Sequence, residues 1–450
     1  MTAYIEGYVQ TNHPLSLRAG FDSLSAVGNL LVDNSGDTMW HRESQLLPSP
    51  LRKLRSRARK FADEEIRPLS LKMDLAGHGA LGDWDEDSRN LVKLAAKEGF
   101  LTDLLPKPFG SASYRALRYL VWAQAIKVEE FCRACGGLNL LLSATHLGAF
   151  PIVVSGDLSA IKRFVLPAYK KTKQGDPSIF AFAITEPGAG SDVEEGHGAD
   201  QYRPRVQAKR DDKNEGWRLN GRKCFISGGD IAETITVFAA LEGEGMDSWT
   251  CFIVKSGMQG FKVVRNELKM GQRASGASEL EFNDVFVPDD HIVGGLRQGW
   301  GINRATLNMS RLPVAAMAVG FAQAAVDITQ QFVCNTKLGN KRLIDYQEIQ
   351  LKLAQMIAET SAIRAVLWEK ARHFKVRQAD SSLCKFHCSD RALEVVNMAM
   401  DVIGGQSIVH HNRIEKVFRD VRLTQIYEGT NQINRLAVIE DLQEQLVAGV

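Results

Sequence analysis

The spacing of apolar residues predicts helices over the first third of the chain. Between Leu51 and Ile66 apolar side chains recur every three or four residues (LRKLRSRARKFADEEI), as on one face of a helix. The same spacing continues through SRNLVKLAAKEGF, SYRALRYLVWAQAIKVEEF, GLNLLLSATHLGAF and SAIKRFVLPAYKK. Residues 1–45 are rich in Gly, Ser and Asn and lack this pattern. We therefore predict a loosely structured N-terminal extension over residues 1–45 and a helical domain over residues 46–179.

The pattern changes near Ser178. The stretches ITVFAALEG, TCFIVKS, FKVVRNEL and ELEFNDVFVP have the composition of strands, and NEG and LNG at 214–216 and 219–221 are typical of hairpin turns. After Gly301 long amphipathic helical patterns return. The order helices, strands, helices predicts a β domain over residues 180–293 and a helical domain over residues 294–450.

Composition and charge narrow the classes of function. At 450 residues, with 44% hydrophobic and 24% charged residues, the chain is expected to form two or three globular domains. A net charge of +2 gives no reason to expect a nucleic-acid or membrane partner. No uninterrupted apolar run has the length of a membrane span. The first twenty residues lack the features of a signal peptide and include Glu6, so we expect a cytoplasmic location.

Seven cysteines are scattered along the chain, an odd number that argues against a disulfide framework. Two groups of residues are candidate metal ligands: Cys132 with Cys135, and Cys384 with His387 and Cys388. Each lacks a second half-site at zinc-like spacing. We interpret these residues as small core side chains and predict no metal site.

Two glycine-containing stretches of the β domain are candidates for binding a planar ligand. TEPGAGSD at 185–192 follows a strand, and its glycines would let backbone N–H groups approach a ligand. The alternative is a plain Pro-Gly turn. KCFISGG at 223–229 places an aromatic ring and a hydroxyl beside an open backbone, which suits stacking on a cofactor. A dinucleotide-binding glycine motif is excluded, because Val193 occupies its last glycine position.

Near the end of the chain, Glu428 lies among uncharged neighbours in IYEGTNQINRL. A poorly solvated carboxylate is a candidate general base, because desolvation raises its pKa toward working pH. The alternative is a turn in which residues 429–431 close one helix and open the next. These residues alone favour the turn.

Three stretches together resemble the acyl-CoA dehydrogenase family of flavoproteins: FAITEPGAGSD at 182–192, KMGQRASGASELEFNDVFVP at 269–288 and FRDVRLTQIYEGTNQINR at 418–435. The resemblance covers about residues 50–445. It implies a helical N-terminal domain, a central β-barrel-like domain and a C-terminal four-helix bundle. It also implies FAD near a subunit interface of a homodimer or homotetramer, an acyl-CoA substrate and electron transfer to an electron-transferring flavoprotein.

The resemblance also assigns roles to residues. Glu428 corresponds to the base that removes the Cα proton, while the flavin takes a hydride from Cβ; Ser310 occupies the position of an alternative base found in some members. Contacts with FAD are implied for Phe182, Ile184, Thr185, Ser191, Phe225, Ser227, Gln347, Gly404, Gly405, Thr430 and Gln432. Contacts with substrate are implied for Ser191, Asn308, Arg311, Tyr427 and Gly429, and pocket walls are expected near residues 143–150.

The chain departs from the family at positions that hold the ADP half of FAD. Thr336 occupies the position of an arginine, Gly339 that of a phenylalanine and Asp401 that of a glutamine. These changes predict weaker FAD binding, partly offset by basic residues at 337, 341 and 342. The departures keep two alternatives open: an enzyme acting on a thioester bound to a carrier protein, and a binding or assembly protein that retains the fold without redox turnover.

Overall fold

The computed structural model describes residues 37–77, 79–80, 83–191 and 202–447. Residues 1–36 of the predicted extension lie outside the described residues. Residues Met39–Gln45, which were predicted to be irregular, form a short helix (α1) that is capped by the hydroxyl of Thr38, which accepts a hydrogen bond from the His41 amide. The chain divides into two compact units, residues 1–52 and 53–450.

The predicted helical domain begins with helix α2. Its helices are α2 (Ser49–Phe61), α3 (Arg67–Ala76), α4 (Glu86–Lys97), α5 (Leu120–Ala134), α6 (Gly136–Val154), α7 (Leu158–Ala160) and α8 (Leu166–Lys173). Within the second unit, Phe61, Phe100 and Phe131 form an aromatic cluster with ring centroids 5.2–5.5 Å apart. Edge-to-face packing of this kind fixes the mutual positions of the helices that carry the rings.

Helix α5 is buried along nearly all its length although it carries several charges. Arg133 forms ion pairs with Asp63 at 2.7 Å and with Asp327 at 3.3 Å, and Glu129 pairs with Arg364 at 2.8 Å. Buried charges are tolerated only when they are paired in this way. The pairs connect α5 to helices at both ends of the sequence, which positions α5 as a wall of the site described below.

The middle segment forms one eight-stranded sheet. Its strands are β3 (Phe180–Ala183), β4 (Gln207–Asp211), β5 (Gly216–Ser227), β6 (Thr234–Leu241), β7 (Thr250–Lys255), β8 (Phe261–Asn266), β9 (Ala277–Pro288) and β10 (Ile292–Val293), after a small hairpin of β1 (Gly79–Ala80) and β2 (Asp83–Trp84). The order is β10-β7-β6-β4-β5-β9-β8, and β3 pairs in parallel with β6. Trp217 of β5 packs on Phe252 of β7 across the core, so the sheet curls into the predicted barrel-like shape.

The C-terminal segment forms the predicted helical bundle. Its main helices are α9 (Gly299–Asn335), α10 (Gln347–Ala371), α11 (Gln378–Ile403) and α13 (Asn431–Val447), with a shorter α12 (Ile414–Leu423) before the last. A hairpin of β11 (Lys337–Leu338) and β12 (Lys341–Arg342) joins α9 to α10. Gly339 turns this hairpin with a φ of +61°, a conformation that would strain the phenylalanine found there in the family.

The expectation that no segment could span a membrane was wrong by the criteria of length and composition. Helices α6 and α9 are both long and apolar enough to cross a bilayer. Their most apolar windows are nevertheless 67% and 78% buried inside the protein, as expected for core helices. They are weak evidence for a membrane protein.

The candidate metal ligands among the cysteines lie in the core. Cys132, Cys135, Cys384 and Cys388 are buried with free thiols. Burial raises the pKa of the Cys132 and Cys388 thiols well above the usual value, which disfavours the thiolate that a metal requires. This environment favours their interpretation as packing residues.

Candidate active site

A cavity of about 610 Å³ lies where the helices meet one end of the sheet. Its walls come from α5, α6 and α9, from the loop after β3, from the end of β5 and from the corner between α12 and α13. The predicted wall residues Ser143, His146, Leu147 and Phe150 of α6 line it. Most of the lining is apolar, so the polar groups that face the cavity carry its chemistry.

Glu428 lies in the corner before α13 and faces this cavity. Its backbone has a φ of +55°, which costs energy for a residue other than glycine. Buried donors hold the corner from behind. The Glu428 carbonyl accepts hydrogen bonds from Arg311 Nε at 3.2 Å and Asn434 Nδ2 at 3.3 Å, and the Gly429 carbonyl accepts one from Lys385 Nζ at 2.6 Å. These bonds compensate the strain and direct the carboxylate into the cavity.

The carboxylate of Glu428 accepts a hydrogen bond from Ser310 Oγ at 2.6 Å. It keeps some accessible surface, but only as part of the cavity wall, and the surrounding protein removes most of its bulk solvent. This desolvation raises the pKa of Glu428 above its ordinary value, while Ser310, Arg311 and Lys385 act in the opposite direction. A carboxylate with a raised pKa beside an apolar cavity is suited to take up a proton.

We expect the rate of flavin reduction by substrate to fall as pH drops through the raised pKa of Glu428, because only the carboxylate accepts a proton. Ser310→Ala removes a hydrogen bond that favours the charged form, so the midpoint should move to higher pH. Stopped-flow reduction rates across a pH series measure both midpoints. A variant profile that is unchanged, or displaced to lower pH, would contradict the assignment.

The loop after β3 is held by an acid that the sequence interpretation overlooked. Glu186 is buried, and its carboxylate accepts hydrogen bonds from Lys223 Nζ at 2.9 Å and Tyr202 Oη at 2.7 Å. Two backbone bonds between Glu186 and Ala189 close the turn. Beyond it, Gly190 lines the cavity, and an added Cβ there would meet only Thr185 Cγ2 at 4.0 Å. The space beside the Gly190 Cα therefore has room for a ligand.

Two distant motifs meet at this loop. The Thr430 amide donates to Ser191 Oγ at 2.9 Å. The Thr430 hydroxyl accepts a hydrogen bond from the Ile433 amide at 3.4 Å, so Thr430 also caps α13. The 428–431 stretch thus forms a turn between two helices, and this turn also presents Glu428 to the cavity.

Phe225 reaches the cavity through an irregularity in the sheet. The β5–β9 pairing shifts by one residue between Lys223 and Ile226, and Phe225 has a φ of +58°. A bulge of this kind redirects a side chain. The ring is 62% exposed and lines the cavity together with Ser227. An exposed ring in the wall of the cavity that Gly190 also lines fits the flat face of a flavin.

Other predicted cofactor residues fall into two groups. Phe182, Ile184, Thr185, Ser191 and Thr430 line the cavity. Exposed positions outside the cavity are occupied by Gln347, Gly404, Gly405 and Gln432.

The predicted substrate residues also divide. Ser191 and Tyr427 line the cavity, and Gly429 is buried behind it. The amide of Asn308 bonds to the Val376 carbonyl and to Ser381. Arg311 is 1% exposed and donates to the Glu428 carbonyl and to Ser382 Oγ at 2.9 Å. The structure thus places Arg311 behind the corner that carries Glu428, whereas the resemblance implies a contact with CoA.

Arg311→Lys tests this placement. Lysine cannot reproduce the forked donors that reach Glu428 and Ser382 together, so we expect a lower thermal midpoint, equivalent to about 1–3 kcal/mol, with little change in acyl-CoA affinity. Thermal unfolding and equilibrium binding measure the two effects. Arg372→Lys, at an exposed arginine on α10's C-terminal end, serves as the control. Weakened acyl-CoA binding with unchanged unfolding would restore the substrate-contact interpretation.

Sequence reasoning missed the residues that support the corner. Gln272, in the stretch KMGQRASG, has a φ of +51° and donates from Nε2 to the Asp420 carbonyl at 2.9 Å and to Tyr427 Oη at 3.1 Å. Lys385 and Asn434 hold the corner from α11 and α13. In the sequence, Lys385 is a lysine within an amphipathic helical pattern, and such a residue does not by itself indicate a site.

Comparisons with known families and structures agree with this architecture. Models of the acyl-CoA dehydrogenase N-terminal, middle and C-terminal domains match residues 50–171, 181–285 and 297–443. The chain is 31% identical to the 3-(aryl)acrylate reductase of Clostridium sporogenes over 86% of this chain and 97% of that protein. It is 33% identical to the cyclohex-1-ene-1-carbonyl-CoA dehydrogenase of Geobacter metallireducens, over 84% and 94%.

One further relative and two solved structures are informative about the cofactor and the redox partner. The caffeyl-CoA reductase-Etf complex subunit CarC of Acetobacterium woodii is 28% identical over 86% of this chain and 96% of its own length. The butyryl-CoA dehydrogenase structure from Megasphaera elsdenii superposes with a TM-score of 0.78 at 28% identity, covering 88% of this chain and 99% of that one. An acyl-CoA dehydrogenase from Bacillus anthracis complexed with FAD gives a TM-score of 0.77 at 25% identity, covering 90% and 68%. The chain belongs to the acyl-CoA dehydrogenase family, a family of FAD-binding oxidoreductases.

Proposed function

We propose that this enzyme removes hydrogen from Cα and Cβ of an acyl-CoA thioester to give the trans-2-enoyl-CoA. The observation that carries the proposal is the position of Glu428. Its carboxylate has a raised pKa, faces the apolar cavity, and shares that cavity with Thr185, Ser191 and Phe225. A base and a set of flavin-compatible groups around one cavity are what this reaction requires.

Separate residues would handle the proton, the thioester carbonyl and the cofactor. Glu428 takes the Cα proton onto its carboxylate, and Ser310 orients that carboxylate through its 2.6 Å hydrogen bond. The Glu428 amide donates to no acceptor within the described residues, which leaves it available to polarise the thioester carbonyl. Thr185, Ser191, Phe225 and Thr430 would hold the isoalloxazine end of FAD. Bound there, FAD supplies the acceptor for the hydride that leaves Cβ.

The apolar walls contribute by excluding water. Water at the carboxylate would lower its pKa and would weaken the polarisation of the thioester. Leu307, Val314 and Met317 of α9 line the cavity, as do Val121 and Val128 of α5. An acyl chain lying against these side chains would complete the desolvation of Glu428.

We propose an electron-transferring flavoprotein as the partner that reoxidises the enzyme. The support is the relative named as a subunit of a caffeyl-CoA reductase-Etf complex. Relatives are named both as reductases and as dehydrogenases, and the same residues serve the reverse reaction, in which Glu428 returns a proton to Cα. The direction is therefore set by the partner's potential and by the substrate.

We also propose a homodimer or homotetramer. The support is the exposure of Gln347, Gly404 and Gly405 outside the cavity, where by resemblance they would serve the FAD of a neighbouring subunit. Light scattering of the FAD-loaded protein measures the mass. A monomer would overturn this part of the proposal.

Anaerobic titration of the FAD-loaded protein with a panel of saturated acyl-CoA esters tests the reaction. We expect bleaching of the oxidised flavin absorbance and a trans-2-enoyl-CoA product by mass spectrometry. Carrier-protein thioesters of the same acyl groups form a second arm. If only the carrier-protein thioesters bleach the flavin, the substrate is a carrier-protein thioester and not an acyl-CoA. If neither set of thioesters bleaches the flavin, the proposed function is wrong.

A further inference from the structure

Two buried amides in the cavity wall have NH2 groups that find no acceptor among the described residues. Gln124 of α5 is 8% exposed, and neither atom of its amide bonds to a described residue. Asn139 of α6 is fully buried; its Oδ1 accepts a hydrogen bond from Ser143 Oγ at 3.2 Å, and its Nδ2 has no acceptor among the described residues. Both side chains line the cavity that contains Glu428.

The surroundings of these amides are apolar. On α5, Gln124 lies between Val121 and Val128 on the cavity face, and the neighbouring wall includes Leu147 and Phe150 of α6. A plain acyl chain needs only such side chains. A buried amide that forms no hydrogen bond costs free energy, so its presence in an apolar wall indicates a group that the ligand must supply.

We propose that the acyl group of the natural substrate carries a neutral oxygen, as a hydroxyl, keto or ether group, which bonds to Gln124 and Asn139. This inference rests on the proposed function, since it concerns the acyl part of the same substrate. The Gln124 amide can rotate to present either its donor or its acceptor. The unpaired Nδ2 of Asn139 presents a donor, which an oxygen of any of these groups accepts.

The oxygen is neutral because, among the described residues, α5 and α6 carry no unpaired cation that could meet a carboxylate beside the two amides. Lys269 is the only lysine or arginine among the described lining residues; it lies between β8 and β9, not on these helices, and it donates to the Ser275 carbonyl at 2.8 Å. Lys127, on the same helix as Gln124, is 2% exposed and is ion-paired with Asp103 at 2.8 Å. A carboxylate beside Gln124 would be buried without a counter-charge, which is strongly unfavourable.

Matched acyl-CoA pairs test the inference. The FAD-loaded enzyme is reduced anaerobically with unbranched acyl-CoA esters from butyryl to decanoyl, with their ω-hydroxy counterparts and, from pentanoyl upward, with their (ω-1)-keto counterparts. At one chain length or more, we expect the oxygenated ester to exceed its parent in kcat/KM by about 10- to 100-fold, because a site built around polar groups rejects an analogue that leaves them unpaired. Adipyl-CoA, which ends in a carboxylate, should react no faster than hexanoyl-CoA.

Gln124→Leu and Asn139→Leu should each reduce this preference, and the double variant should favour the plain esters. Gln355→Leu, at an exposed amide on α10, should leave the preference unchanged. If the variants do not fold, the wild-type series alone decides. Flavin reduction in which the plain ester is equal or faster at every length would overturn the inference and leave the proposed function standing. If adipyl-CoA reacts faster than hexanoyl-CoA, the inference that the oxygen is neutral is wrong. If no ester reduces the flavin, the proposed function itself is wrong.

Discussion

Glu428→Gln should slow flavin reduction by acyl-CoA about 100- to 10,000-fold, because the amide keeps the shape of the carboxylate but cannot accept the Cα proton. The Ser310 hydroxyl and the donors behind the corner remain able to hold the loop, so FAD content and thermal midpoint should stay close to the wild type. Stopped-flow reduction under anaerobic conditions gives the rate. The flavin spectrum of the purified protein gives the cofactor content.

Glu394→Gln is the matched control. Glu394 is exposed on α11 and forms an ion pair with Arg391 at 2.6 Å, away from the cavity. In the Glu394→Gln variant, acyl-CoA should reduce the flavin at the wild-type rate. If Glu428→Gln still bleaches the flavin nearly as fast as the wild type, the base is another group and the proposed mechanism is wrong.

The second large effect concerns retention of the cofactor. We expect a yellow protein that loses FAD on dilution or dialysis, with affinity about 10- to 100-fold below that of a variant carrying the family's arginine. A charge-assisted hydrogen bond to phosphate is worth about 1.5–3 kcal/mol, which corresponds to that factor. Thr336 follows α9 directly and cannot supply it, although the exposed Lys337 and Lys341 of the adjoining hairpin replace part of the charge.

Thr336→Arg should therefore tighten FAD binding. Gln331→Arg, which adds the same charge at an exposed position more than one turn earlier on α9, should not. Fluorescence of released FAD on serial dilution measures the affinity. The rise of the melting temperature with added FAD provides an independent measure, because a ligand that binds only the folded state stabilises it. Equal retention of FAD by all three proteins would refute the importance of this position.

The features that the sequence predicted are local in origin. Three- and four-residue spacing of apolar side chains is enough to indicate helices, and alternation with hairpin turns indicates strands, because both depend on neighbours along the chain. The order of domains, the motif before Ser191 and the isolated acid at Glu428 could be found in this way. The family resemblance then added the fold, the cofactor and the proposed role of Glu428.

Other features depend on residues that are distant in sequence, and only the tertiary structure showed them. Phe225 faces the cavity because the β5–β9 pairing contains a bulge, and no residue pattern marks a shift of register. Arg311 of α9 donates a hydrogen bond to the Glu428 carbonyl in the corner before α13, a contact between residues more than one hundred positions apart that no local pattern predicts.

The two amides of the cavity wall also depend on tertiary packing. In sequence, Gln124 and Asn139 are ordinary polar residues within helical patterns, where a solvent-exposed position is the usual expectation. Packing of α5 and α6 against the sheet and the bundle buries both in a cavity wall. The sequence by itself determined the elements and the type of chemistry. The tertiary structure decided which side chains face the cavity, because burial depends on which helices pack together and not on the residues next to each side chain.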